Sequence, residues 1–282
     1  MLIKPMNAAL GAEVTGIDLA RINIQEFRAL YDAWLEHCVL VVRQQSLTEA
    51  SLVDFSRRLG ELELPPGSES RVTGDGGASL PEIWTISNVK VDGEAIGALG
   101  NLEADWHSDM SYRSDPPAAS VLYARIIPSS GANTCFANMY AALNEMPVDL
   151  KRRIAPLHVR HDSAYTSVGT LRTDARAVDD IAEVRGAIHP TIQQHPETRQ
   201  KALFIGRRLN ACFVELETDD SEQLLDEVWQ HCSDRRFVYE HVWQLGDLLV
   251  WDNRCTLHRR DAFDDNERRI MWRTQIKTTN AT

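Results

Sequence analysis

The stretch Asp105-Trp106-His107-Ser108-Asp109-Met110 sets an imidazole and a carboxylate two positions apart. On an extended segment side chains alternate between faces, so His107 and Asp109 point the same way. Far along the chain, Trp251-Asp252-Asn253-Arg254-Cys255-Thr256-Leu257-His258 ends on a second imidazole, 151 residues after His107. Two histidines and one carboxylate gathered on one face are a ligand set for non-haem Fe(II). They leave three coordination positions open for substrates. The tripeptide alone has little weight. With nine histidines in the chain, a His-x-Asp is expected by chance in about one of every two chains of this composition. Its ordinary alternative is a strand-end histidine hydrogen-bonded to a neighbouring carboxylate.

The elements that must hold these residues read as short strands with flanking helices. Leu10 to Leu19 contains a strand bounded by glycines, and Cys38 to Val42 is an apolar run short enough for a buried one. Between them Phe27, Leu30, Tyr31, Trp34 and Leu35 recur at helical spacing over Ile24 to Glu36. Ser46-Leu47-Thr48-Glu49 has the form of a capping box opening a helix that stops near Gly60. Ile83–Val89, Ala119–Ala124, Thr134–Asn138, Lys201–Ile205 and Arg269–Ile276 read as strands. Tyr140–Arg153, broken at Pro147, and Asp219–Cys232 read as helices. Phe237–Trp243 and Asp247–Asp252 look like paired strands turning at Leu245-Gly246. The Gly-rich run within residues 65–80 is a candidate lid. Residues 158–190 are polar, poorly patterned and left unassigned.

Composition bounds the function. A chain of 282 residues with 43% hydrophobic and 25% charged residues is an ordinary globular protein, expected here as one domain over 1–282. No run of about 18 apolar residues appears, so no membrane span is expected. Met1 to Pro5 lacks the regions of a signal peptide, and the five scattered cysteines contain no CxxC. Both point to a cytoplasmic protein with reduced thiols. A net charge of −11 argues against nucleic acid as a partner. A homo-oligomer is expected.

Four blocks carry a resemblance: Trp106-His107-Ser108-Asp109, Pro128-Ser129-Ser130-Gly131-Ala132-Asn133-Thr134, Trp251 to His258, and Arg268-Arg269-Ile270-Met271-Trp272-Arg273. In this order they resemble the taurine dioxygenase and 2,4-dichlorophenoxyacetate dioxygenase family of Fe(II)- and 2-oxoglutarate-dependent oxygenases, over nearly the whole chain. The resemblance implies a mixed α+β fold with a double-stranded β-helix (jelly-roll) core and flanking helices. It assigns His107, Asp109 and His258 to iron as the catalytic centre, and Thr134 and Arg269 to the distal carboxylate of 2-oxoglutarate, with O2 as the third reactant. A planar guanidinium suits a carboxylate because it donates two parallel hydrogen bonds. Arg273 lies an even step beyond Arg269 on the same strand, so both would face one way. Without the resemblance the two read as surface arginines.

The resemblance gives Arg273, with the backbone N–H of Met110, to an acidic group of the substrate. Trp251 would wall the pocket, and Asn88 would select the far end of the substrate. Two departures bear on specificity. The family's Gly-Gly-Asp-Thr is Gly131-Ala132-Asn133-Thr134 here, and the stretch Ile86 to Gly93 lacks the histidine of taurine-specific members. An aryloxyalkanoate or other substituted alkanoate is therefore expected, hydroxylated with possible cleavage of an ether or other carbon–heteroatom bond. A taurine or alkylsulfonate dioxygenase is the alternative. A non-catalytic metal-binding sensor, or a hydroxylase of protein or nucleic acid, would be of another class; a sensor needs no 2-oxoglutarate clamp. His158, His161, His189, His195, His231 and His241 read as solvated or packed, and Trp229 and Trp243 as core.

Overall fold

The computed structural model describes residues 1–65, 76–172, 175–178 and 180–278. Among these the chain is a mixed α/β structure built around two sheets. The larger has the strand order Leu2–Pro5, Ala12–Thr15, Val39–Val42, Leu248–Asp252, Ala119–Ile126, Ile270–Ile276, Trp84–Ser87, Ala98–Leu99, with Leu62–Glu63 also pairing Ile270–Ile276. The smaller runs Val238–His241, Thr134–Asn138, Thr256–Arg260, Ala104–His107. All pairings within the smaller sheet are antiparallel.

Side-chain alternation explains why the central strands of the larger sheet are apolar throughout. Val39, Val41, Leu122, Ala124, Leu249, Trp251 and Met271 face one core together with Phe136, Ala137 and Leu257 of the smaller sheet. Their neighbours Leu40, Val42, Val121, Tyr123, Leu248, Val250 and Trp272 face a second core. That second core is closed by the helices Ile24–His37 and Glu49–Leu59 through Leu30, Trp34, Leu52 and Phe55. A sheet covered on both faces needs apolar residues at every position.

Several expected elements shift. The second helix is capped by Thr48, whose hydroxyl accepts from the Ser51 N–H, rather than by Ser46. Glu49 is occupied elsewhere, accepting from the backbone N–H groups of Ser79 and Leu80. Val238–His241 and Leu248–Asp252 do not pair with each other. The first joins the smaller sheet beside Thr134–Asn138 and the second the larger between Val39–Val42 and Ala119–Ile126. The turn at Leu245-Gly246 thus passes the chain between sheets. Most of the candidate lid, 66–75, lies outside the described residues. The stretch 158–190 contributes His158–Arg160, which pairs with Ile188–Pro190 and Cys212–Phe213 in a separate small sheet.

Candidate active site

His107 closes its strand directly opposite His258 in the smaller sheet, and the ring centroids are 4.1 Å apart. Asp109 follows the strand end, just before Met110 turns the chain at φ +50°. His107 Nε2 and His258 Nε2 each lie 3.8 Å from Asp109 Oδ1. One donor atom from each residue falls within 4.8 Å of the others, a spacing that one ion can bridge. The donor set fits an octahedral first-row metal bound on one face.

Hydrogen bonds fix His107 and Asp109, and ring packing holds His258, whose Nδ1 has no partner. His107 Nδ1 lies 2.7 Å from the Asp105 carbonyl, which only accepts. The proton therefore sits on Nδ1 and the Nε2 lone pair is free. Ser120 Oγ donates to Asp109 Oδ2 at 2.7 Å, leaving Oδ1 toward the imidazoles. Ser120 accepts in turn from Asn253 Nδ2 at 3.1 Å, and Asn253 Oδ1 accepts from Trp251 Nε1 at 2.8 Å. The Trp251 ring lies 4.9 Å from His258 by centroid and Phe136 stacks at 6.2 Å. Burial pushes the Asp109 pKa up, but the Arg273 guanidinium, the two imidazoles and Ser120 outweigh it and hold the carboxyl well below its usual range. Burial lowers both imidazoles, His258 to about 3 with further help from His107 and Arg273. The site is thus poised as two neutral imidazoles and one carboxylate, the forms that bind a metal.

A second feature is an isolated buried cation. Arg269 is 1% exposed, its Nε and Nη1 have no partner, and no described residue bonds or pairs with its guanidinium. Burial, and after it the charge of Arg260, pushes its pKa well below the usual guanidinium value. Trp243 lies beside it, with the guanidinium carbon 6.0 Å from the ring centroid. Trp243 Nε1 donates to Thr134 Oγ1 at 3.0 Å, so the threonine's own proton stays available to donate. Arg269 and Thr134 both lie against Trp243, a guanidinium and a hydroxyl of the kinds that bind a carboxylate. Trp243 read as core in the sequence; only its hydrogen bond to Thr134 reveals it.

A cavity of about 440 Å³ opens beside His107 and Asp109 and is lined by them together with Met110 and Arg273. Arg273 already meets an anion: its Nη1 lies 3.1 Å from Asp109 Oδ1, and its guanidinium covers Trp84 at 4.4 Å. Of the two, the guanidinium with no anion among the described residues is therefore that of Arg269, and Arg273 is not free of one. Two expected substrate residues do not line the cavity. The Asn88 side chain donates to the Glu267 carbonyl and accepts from the Arg269 N–H, so it props the arginine instead. Trp251 is fully buried behind His258.

The far wall comes from the stretch that had no sequence signal: His161, Tyr165, Thr166 and Arg172, with Arg207 from beyond it. His161 is 2% exposed and neither ring nitrogen has a partner. Burial first, then His189 and Arg207, lower its pKa to about 3, so it is neutral. Gly206, at φ +63°, lets this ring approach; a Cβ there would sit 1.8 Å from His161 Nδ1.

Two packed sheets bring two imidazoles and one carboxylate together in a group that could hold a metal ion, beside a cavity that His107 and Asp109 line. Residues 2–275 match the family described as "Taurine catabolism dioxygenase TauD, TfdA family", and the chain belongs to that family of dioxygenases. It is 35% identical over 280 residues to an (S)-phenoxypropionate/alpha-ketoglutarate-dioxygenase of Sphingobium herbicidovorans, covering 97% of this chain and 94% of the relative. It is 33% identical over 285 residues to the alpha-ketoglutarate-dependent 2,4-dichlorophenoxyacetate dioxygenase of Cupriavidus pinatubonensis, covering 97% and 96%. Among solved structures it is similar to AAD-2 in complex with Mn(II) and N-oxalylglycine, with a TM-score of 0.80, 27% identity and coverage of 99% and 98%. No described helix is long and apolar enough to cross a membrane.

Proposed function

We propose that this protein is an Fe(II)- and 2-oxoglutarate-dependent dioxygenase that hydroxylates a small organic acid, an aryloxyalkanoate or similarly substituted alkanoate. The observation that carries this reading is the pairing of a three-donor metal site with the bare, buried guanidinium of Arg269. The whole chain acts as one catalytic domain, and its two sheets are the halves of a double-stranded β-helix. His107, Asp109 and His258 hold the iron. Arg269 receives the distal carboxylate of 2-oxoglutarate through charge-assisted hydrogen bonds, and Thr134 donates a further one. When bound, iron with 2-oxoglutarate and O2 supplies the oxidant for a C–H bond, releasing succinate and CO2.

The protein's own part is to place that C–H bond. Arg273 and Met110 line the same cavity as Asp109, and in this reading the guanidinium and the Met110 N–H hold the acid group of the substrate. Asp109 Oδ1 is shared between Arg273 and the metal position, so the acid end is drawn to within a few atoms of the reacting centre. Where the adjacent carbon bears an ether oxygen, hydroxylation gives a hemiacetal that breaks into a phenol and a carbonyl acid. The relatives' names support the aryloxyalkanoate class. The test is phenol release from phenoxyacetate and from its neutral amide, in wild type and Arg273→Ala. Wild type is expected to turn over the acid and not the amide, with the preference lost in the variant. Preference for the amide in wild type rejects the anionic substrate.

A further inference from the structure

Three guanidinium groups line the cavity, and two of them pair with a carboxylate of the protein. Arg273 pairs with Asp109. Arg207 donates to the carbonyls of Tyr165 and Thr166 and pairs with Asp162 at 3.3 Å. Arg172 is different. Among the described residues its side chain has no hydrogen-bond acceptor and no carboxylate, and its Nε is buried without a partner. It is nonetheless held in place. Its N–H donates to the Ala164 carbonyl at 2.8 Å, its own carbonyl accepts from Ala175 at 3.0 Å, and its guanidinium lies 4.7 Å above the Tyr112 ring.

Arg273 touches Asp109 in the metal site. Arg207 and Arg172 lie on the cavity wall that Tyr165 and Thr166 build, Arg207 tied to Tyr165 and Asp162 and Arg172 set over Tyr112. Arg172 is half-buried, and its N–H donors, the buried Nε–H above all, have no protein acceptor among the described residues, so an oxyanion entering the cavity can meet them. An aromatic ring stacked on its open face would leave those donors unmet, whereas an oxyanion in the guanidinium plane would satisfy them. Building on the proposed dioxygenase reading, we propose that the substrate bears a second anionic, oxygen-rich group at its end remote from the iron, and that Arg172 receives it. The substrate class is then a small diacid, one acid group on Arg273 and the other on Arg172.

The test is calorimetric binding to protein loaded with Mn(II) and N-oxalylglycine, which holds the site without turnover. Two matched pairs are compared: 4-carboxyphenoxyacetate with 4-carbamoylphenoxyacetate, and suberate with its monoamide. Wild type is expected to prefer at least one diacid over its amide by about tenfold or more. Arg172→Leu reduces that preference to within about twofold, and Arg172→Lys keeps most of it because the charge remains. Equal binding within both pairs by wild type overturns the inference, as does an undiminished preference in Arg172→Leu, or failure of every diacid to bind. Binding of the suberate pair alone, with the preference lost in Arg172→Leu, supports the role of Arg172 while removing the aryloxy substrate.

Discussion

Arg269→Met separates a cosubstrate clamp from a structural arginine, because the two roles shift stability in opposite directions. The wild-type guanidinium is 1% exposed and has no anion among the described residues. Without 2-oxoglutarate it is a buried charge with nothing to offset it, and replacing such a charge by an apolar side chain is neutral or stabilising by about 1–3 kcal/mol. With 2-oxoglutarate the sign reverses. Losing the partner of a buried carboxylate costs about 2–5 kcal/mol, a fall in affinity of roughly 30- to 4000-fold. The assay is thermal unfolding of Mn(II)-loaded protein with and without 2-oxoglutarate. At a hundred times its wild-type Kd the ligand adds about 2.7 kcal/mol to wild type, a rise in Tm of roughly 5–10 °C. At the same concentration the variant gains less than about 1 kcal/mol. Its unliganded Tm is expected to equal or exceed that of wild type. An unliganded Tm lower by several degrees, with the ligand shift intact, would refute the assignment.

Other perturbations probe the surroundings. Ser120→Ala removes the donor to Asp109 Oδ2 and is expected to weaken metal binding by about 10- to 100-fold in competition with a chelator; unchanged affinity would mean Asp109 is oriented without it. Trp243→Phe removes the N–H that fixes Thr134 and should cost about 0.5–1.5 kcal/mol of 2-oxoglutarate affinity by calorimetry. Gly206→Ala forces a Cβ against His161 in a left-handed backbone. It is expected to lower stability by roughly 1–3 kcal/mol in denaturant unfolding, and a neutral result would show that the ring can move aside.

The metal ligands were legible because their signal is residue type at a short, strand-compatible spacing, reinforced by a distant block. The buried strands were legible for a similar reason: Val39 to Val42 must be apolar on both faces. Pairing was not legible. Nothing local tells that His241 and Leu248 belong to different sheets, since both segments look like half of a hairpin. The far wall of the cavity was hidden for a different reason. His161, Arg172 and Arg207 lie on irregular backbone that carries no period, and their neighbours come from distant segments. Asn88 misled because its side chain serves the backbone beneath Arg269, a use that leaves no trace in residue type. Trp243 was missed because a buried indole looks the same in sequence whether its N–H is idle or holds a threonine.

The central claim is tested most directly by succinate release. Wild type and His258→Ala are compared in the presence of Fe(II), 2-oxoglutarate, O2 and an aryloxyalkanoate. The expected result is succinate formed in step with product by wild type, dependent on added Fe(II), and none above background from the variant. Succinate release by His258→Ala at the wild-type rate, or by wild type with iron fully chelated, would contradict the assignment of His107, Asp109 and His258 as the metal site.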